Sequence, residues 1–170
     1  LFVLVVGTAV NMLLSSLGAY VLSRKKLMLR NFIMFIVVFT MFFQGGLVPL
    51  YLQVRSLGLT DTLWALIFPT AINSWYLIIM RTSFMAIPDS LEESAFMDGA
   101  NDFTVLFRIV IPLSIPVMAV MVLFYGVFHW NAWFQAMIFL RSRQLYPLQL
   151  VLREILISQN TQSMTGEVAA

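Results

Sequence analysis

The sequence predicts an all-α membrane protein, a polytopic bundle of transmembrane helices. Three observations predict it. Of the 170 residues, 61% are hydrophobic and only 11% charged, with a mean hydropathy of +0.91, whereas a soluble domain is about 45–50% apolar. Four stretches are apolar over lengths close to the roughly 20 helical residues that cross a bilayer core of about 30 Å. All the charged residues but Arg108 lie between those stretches or after the last one. A formal charge of +2 is too small to argue for nucleic acid, and a chain without cysteine makes neither disulfides nor thiolate metal sites.

The four spans are expected at 1–22, 32–52, 63–80 and 105–128, within a single transmembrane domain covering 1–170. The first carries Gly7, Asn11, Ser15, Ser16, Gly18 and Ala19, small or short polar residues that let helices approach closely in lipid. Pro49 follows Gly45-Gly46, and Pro69 sits inside the third stretch; a proline removes a backbone hydrogen bond, so kinks are expected there. Arg24, Lys25, Lys26 and Arg30 crowd the first loop, which the positive-inside rule places in the cytoplasm. The loop around Arg55 then faces outward, the segment from Arg81 to Phe103 faces the cytoplasm, and the tail from Arg141 lies outside. The chain opens on an apolar run with no basic segment before it, so no signal peptide is read. It reads as a fragment.

The segment 88–102 is the most informative. Asp89, Glu92, Glu93, Asp98 and Asp102 crowd it. One Asp at the bilayer centre costs about 2.5–3.5 kcal/mol on insertion scales, so the segment lies outside the hydrocarbon. Ser90 and Glu93 have the spacing of a capping box, which predicts a helix from Leu91 to Asp98. Gly99 suits the left-handed residue that ends a helix, and Asn101 or Asp102 can cap the next one. Leu91, Ala95 and Phe96 are expected on an apolar edge beside the carboxylates. Interfacial helices that lie on lipid are usually rich in Lys and Arg, so an acidic one suits a basic protein partner better.

The stretch EESAFMDGANDFTVLFRIVIP resembles the EAA loop of ABC importer permeases, whose pattern is E-A-A-x-x-x-G and, further on, I-x-L-P. Glu93, Ala95 and Gly99 match in register. Asp98-Gly99-Ala100 matches the form typical of sugar importers, and Ile109 and Pro112 close the motif. Ser94 stands in place of the first Ala and Ile111 in place of Leu, both small changes in volume. The likeness covers nearly the whole chain and points to the maltose type, its complex-oligosaccharide subgroup. It implies an ABC importer permease fold and a location in the cytoplasmic membrane of a prokaryote. The 88–102 segment would be a coupling helix, with Glu93, Ser94, Ala95, Asp98, Gly99, Ala100 and Pro112 as coupling residues. The resemblance further implies cytoplasmic ATPase subunits, a second and different permease subunit, and an extracytoplasmic solute-binding protein. Lipid surrounds such a protein. It binds no cofactor itself, since ATP sits on the partner ATPase, and it has no catalytic or metal-binding residues. One further span on either side of 1–170 would also be expected.

The stretch FHWNAWFQAMIFL mixes aromatic rings with amides, which suits the C–H faces and hydroxyls of a sugar. It also suits an aromatic belt at the membrane interface. A break near Gly126 would place it in a cavity instead. Asn131, Trp130 and Trp133 are the candidate substrate-path residues here, joined by Asn73 and Tyr76 beyond Pro69. His129 alone makes no metal site and reads as a satisfied polar residue. Leu148, Leu152, Ile155 and Leu156 form a helical stripe in the tail. Alternative functions are a permease for a non-sugar solute, a self-contained channel and a membrane enzyme. Glu92 and Glu93 are adjacent, about 100° apart on a helix, a poor acid/base pair.

Overall fold

The computed structural model describes residues 1–168 except Lys26 and Gln44, with side chains through Ser158. Lys26, one of the basic residues of the first loop, and residues 169–170 of the expected domain lie outside the described residues. The described chain is helical throughout its regular structure. Its α-helices are α1 (Phe2–Ser23), α2 (Arg30–Phe42), α3 (Leu47–Ser56), α4 (Ser74–Met85), α5 (Asp89–Met97), α6 (Asp102–Val105), α7 (Ile111–Leu113), α8 (Ile115–Trp130), α9 (Trp133–Phe139) and α10 (Leu148–Val168).

By length and composition, α1 is the one unbroken helix among the described residues able to cross a membrane. Up to four crossings result if each of three bent helix pairs counts as one span. The first pair is α2 with α3, on either side of Gly45-Gly46, in place of one helix over 32–52. The second is the 3₁₀ segment Leu63–Thr70 with α4, bent by 53°. Pro69 sits in that 3₁₀ segment, where its missing N–H and fixed φ interrupt a regular ladder. The helix expected over 63–80 therefore starts only at Ser74 and runs on to Met85.

The third pair bends by 88° between Asp102–Leu113 and Ile115–Trp130. The stretch expected as one helix over 105–128 is thus broken at Ser114. A π turn over Leu106–Val110 precedes Pro112, and Pro116 follows the break. Each proline removes a donor and crowds the carbonyl four residues back; a widened turn and a bend relieve both. Ser114 N–H donates to the Val110 and Ile111 carbonyls at 3.1 and 3.0 Å, so the backbone at the break stays satisfied. No break occurs at Gly126, which lies within α8; the chain turns at Asn131–Ala132 instead.

α1 packs against α4 and α8 through its small face. Gly7, Asn11, Ser15, Ser16 and Ala19 are all buried. A Cβ on Gly18 would meet Leu77 at 3.0 Å, and one on Gly7 would meet the His129 ring at 2.6 Å. These contacts show why the small residues are there: they set the distance between helices. One apolar cluster joins α1, α4 and α6 to α8 through Tyr20, Met80, Phe84, Val105 and Met121. A second gathers Val54, Leu66, Ile67, Phe139 and Leu150 near the other end of α1. By contrast α2 buries no residue, and Phe32, Phe35 and Phe39 stand exposed on it. An apolar surface of this kind suits lipid or another subunit.

Candidate functional site

The acidic segment folds as a helix, a tight turn and a second helix. α5 begins at Asp89, one residue after Pro88, whose carbonyl accepts from Leu91 N–H at 3.2 Å. The expected capping box does not form. Because the helix starts at Asp89, Ser90 lies inside its first turn, and its carbonyl accepts from Ser94 Oγ at 2.9 Å. Gly99 has φ +83°, a conformation in which a Cβ is strained. The amides of Gly99 and Ala100 donate back to the Phe96 and Ala95 carbonyls at 3.0 and 2.9 Å, closing α5 in the manner of a glycine C-terminal motif. Asn101 Oδ1 accepts from the Thr104 amide and hydroxyl, both at 2.8 Å, and caps α6.

Within this bend Glu93, Ser94, Asp98 and Gly99 are exposed, as is Met97 at 88%, while Ala95 and Ala100 are half-buried against the first apolar cluster. Pro112 is exposed in α7, beyond the π turn. Glu92 behaves differently from its neighbour: it is buried and ion-paired with Arg24, just past the end of α1. Lys25 donates to Asp89 Oδ2 at 2.5 Å, on the surface. The hydrogen bond from Lys25 and its charge hold the Asp89 carboxyl below the usual carboxylate range. Burial lowers the Arg24 guanidinium from its ordinary value, and Tyr20, Asp89 and Asp102 oppose that shift. An open cavity of about 680 Å³ lies among these groups, between the end of α1 and α5–α6.

A second groove, of about 530 Å³, is lined by Tyr76, Phe124, Phe128, Asn131, Phe134 and Gln135 among others. Tyr76 stacks on Phe124 at 5.6 Å and meets Tyr125 edge-on at 4.9 Å. Two of the sequence-expected path residues, Asn131 and Tyr76, therefore share this groove. The other three do not line it. Asn73 caps α4, its Oδ1 accepting from the Trp75 and Tyr76 amides. Trp133 carries the Arg153 guanidinium 3.7 Å from its ring centroid. Trp130 is 44% exposed at the end of α8.

Several further connections join residues far apart in the chain. Asn11 Nδ2 donates to the Thr70 and Ala71 carbonyls at 2.5 and 3.0 Å, and its Oδ1 lies 2.6 Å from His129 Nε2. With the Asn11 amide nitrogen committed as donor, its oxygen accepts, so Nε2 carries the proton. Ser15 Oγ and the Tyr125 hydroxyl are 2.6 Å apart. The spacing of Gly7, Asn11 and Ser15 by fours, facing Tyr125 and His129 also four apart, is the signal that could have found this seam. Asp61, at φ +61°, accepts from the Arg141 and Ser142 amides at 2.8 Å and from Ser142 Oγ at 2.6 Å. That clamp joins the loop after α3 to the chain after α9.

Comparison with known proteins accords with this arrangement. The family described as "Binding-protein-dependent transport system inner membrane component" matches residues 4–169. The chain is 54% identical over 168 residues to the "Polygalacturonan/rhamnogalacturonan transport system permease protein YtcP" of Bacillus subtilis (strain 168), covering 99% of this chain and 58% of that protein. It is 44% identical to "Protein LplC" of the same organism, over 98% of this chain and 57% of that protein. Among solved structures, one titled "Crystal structure of a bacterial ABC transporter involved in the import of the acidic polysaccharide alginate" superposes with a TM-score of 0.87 at 38% identity, covering 90% of this chain and 55% of that one. The chain thus spans a little over half the length of the curated relatives it matches. It belongs to the family of binding-protein-dependent transport system inner membrane components, and has the helical fold of an ABC importer's membrane subunit.

Proposed function

We propose that this chain forms the membrane-crossing path of an ATP-driven, binding-protein-dependent importer of oligosaccharides, crossing the cytoplasmic membrane several times. The α5–Gly99–α6 bend is the surface gripped by a cytoplasmic ATPase subunit, and ATP is bound and hydrolysed there rather than on this chain. A second, different permease subunit and an extracytoplasmic solute-binding protein complete the transporter. The observation that carries the reading is the exposed acidic bend itself. It presents Glu93 on a short helix and Asp98 just past its end, closed by a left-handed glycine, with the EAA spacing.

In this role the bend needs shape as well as charge. Gly99 allows the sharp reversal, and Ser94 keeps the outer face of α5 small. Ala95 and Ala100 seat the bend on the helices beneath, and Glu93 and Asp98 meet basic groups of the ATPase. Pro112, next to the break at Ser114, fixes the direction in which the following segment leaves. Support for a sugar as the cargo comes from the named substrates of YtcP and of the alginate importer, and from the aromatic and amide lining shared by Tyr76, Phe124, Asn131 and Gln135. Rings of this kind stack on sugar C–H faces while amides bond hydroxyls.

Pull-down of the full-length protein from its native membranes tests the reading. An ATPase subunit should copurify, and Glu93→Gln combined with Asp98→Asn should reduce its recovery by at least about tenfold, the scale of losing one charged hydrogen bond. Solute uptake that persists with every ATPase removed would overturn it.

A further inference from the structure

The two adjacent glutamates of α5 point in different directions, and their surroundings divide them. Glu93 is exposed, on the face that the proposed ATPase would meet. Glu92 is 6% exposed and ion-paired with Arg24, whose side chain is itself only 18% exposed. We propose that Arg24 and Glu92 form an internal lock that carries movement of the coupling bend into α1. They are positioning residues for transport, not docking residues. The proposal rests on the functional reading above and deepens it.

Geometry gives the lock a second point of attachment. The Arg24 guanidinium lies 4.5 Å from the Tyr20 ring centroid, and the Tyr20 hydroxyl donates to Asp102 Oδ1 at 3.4 Å. The end of α1 therefore holds α5 through Arg24 and α6 through Tyr20, one arm of the bend on each. Lys25 and Asp89 form a further pair, but both side chains are more than half exposed, and such surface pairs contribute little. A buried pair is different, because loss of one partner strands the other charge. Arg81 Nε also donates to the Leu22 carbonyl at 2.9 Å, tying α4 to the same place.

From this end α1 runs without a break to Phe2. About 20 Å along it, Asn11 holds the Thr70 and Ala71 carbonyls and His129. Ser15 meets Tyr125, whose ring touches Tyr76 on the wall of the groove. An unbroken helix fastened by charge at one end and by hydrogen bonds at its middle moves as one body. A push on the bend thus reaches the groove through α1.

The test uses the whole transporter with its ATPase, purified in nanodiscs. A single cysteine replaces Leu123, a groove residue that is 61% exposed, and all other cysteines of the complex are removed. The rate of maleimide labelling is measured with and without ATP and vanadate. Unaltered at the lock, the complex should show an ATP-dependent change in rate. Glu92→Gln should copurify as much ATPase as the unaltered chain, yet the ATP-dependent change should shrink about tenfold, inside the roughly 5–150-fold span of coupling between sites. Exchange of the pair, Arg24→Glu with Glu92→Arg, should restore it. A purely structural role would lower the yield of complex without altering the response of each complex assembled. If the single variants fail to accumulate, the exchange variant decides alone: recovery of yield and response supports the lock, and recovery of neither overturns it. A full response in Glu92→Gln overturns the lock, as does loss of ATPase equal to that in Glu93→Gln. An assembled, unaltered complex without any ATP response does so too. Absence of ATPase from the unaltered complex instead defeats the functional reading, and the lock with it.

Discussion

Two polar regions hang on one helix, and they are built from different chemistry. At the end of α1 the partners are ions: Arg24 with Glu92, and Lys25 with Asp89. In its middle they are neutral: Asn11 with His129 and the Thr70 and Ala71 carbonyls, and Ser15 with Tyr125. The difference follows the medium. A charge in hydrocarbon costs several kcal/mol, whereas a neutral hydrogen bond between helices costs little and contributes about 0.6 kcal/mol on average. The charged end can therefore grip the acidic bend outside the hydrocarbon, while the neutral seam sets how closely α1 and α8 approach.

The largest expected effect strikes the seam. Gly7→Val places a branched side chain where even a Cβ would stand 2.6 Å from His129 Nε2. Overpacking of this kind costs about 3 kcal/mol, and thermal unfolding in detergent should show a clear drop in midpoint. An unchanged midpoint would mean the ring is free to move aside, and the seam is no spacer.

Asn11→Leu comes next. It strips partners from the Thr70 and Ala71 carbonyls and from His129, for an expected loss of about 2 kcal/mol given that each interhelical bond in membranes is worth at most about 1.7. His129→Ala in the same background should then cost less than it does alone, because the two share one bond. Additive losses in this double-mutant cycle would show that the two side chains are independent.

Gly99→Ala should cost about 1 kcal/mol, from forcing a Cβ into the left-handed region, since nothing lies within 4 Å to clash with it. The comparison with Gly7 is sharpest here, with one glycine required by crowding and the other by backbone conformation. Gly99→Asn, which tolerates that conformation better, should retain more stability than Gly99→Ala; the reverse order would remove the conformational argument.

The smallest effect concerns acid. Hydrogen bonds from Ser142 Oγ, from the Ser142 amide and from the Arg141 amide hold the Asp61 carboxyl below its ordinary value. A depressed carboxylate stabilises the fold above its unfolded pKa, and that contribution disappears as pH falls through the lower folded value. Asp61→Asn should therefore be less stable than the parent at neutral pH, and the two should converge in acid below the usual carboxylate range. A gap that is constant with pH would contradict the clamp.

Much of this arrangement could be read from residue types. The small face of α1 is written in Gly7, Asn11, Ser15, Ser16 and Ala19, all of which are buried. Gly99 does take the left-handed turn and Asn101 does cap α6. The breaks were harder to place. Apolar length counts residues without seeing direction, so the stretch around Pro112, Ser114 and Pro116 reads as one span although its axis turns by 88°. The capping box failed because Ser90 and Glu93 have the right spacing but the helix starts two residues earlier, at Asp89 just after Pro88. Glu92 and Glu93 look alike in sequence; only the position of Arg24 across two loops separates the buried carboxylate from the exposed one. Such contacts join residues far apart in the chain, where no local pattern records them.

Photocrosslinking tests the central claim most directly. A photoreactive phenylalanine replaces Met97 on the exposed side of the bend in the assembled transporter, with Phe35 on α2 as the control site; the native side chains there are 88% and 66% exposed. The account predicts an adduct between position 97 and the ATPase subunit, with none from position 35. An adduct to an extracytoplasmic protein, or no ATPase adduct from position 97 in a complex that retains its ATPase, would contradict it.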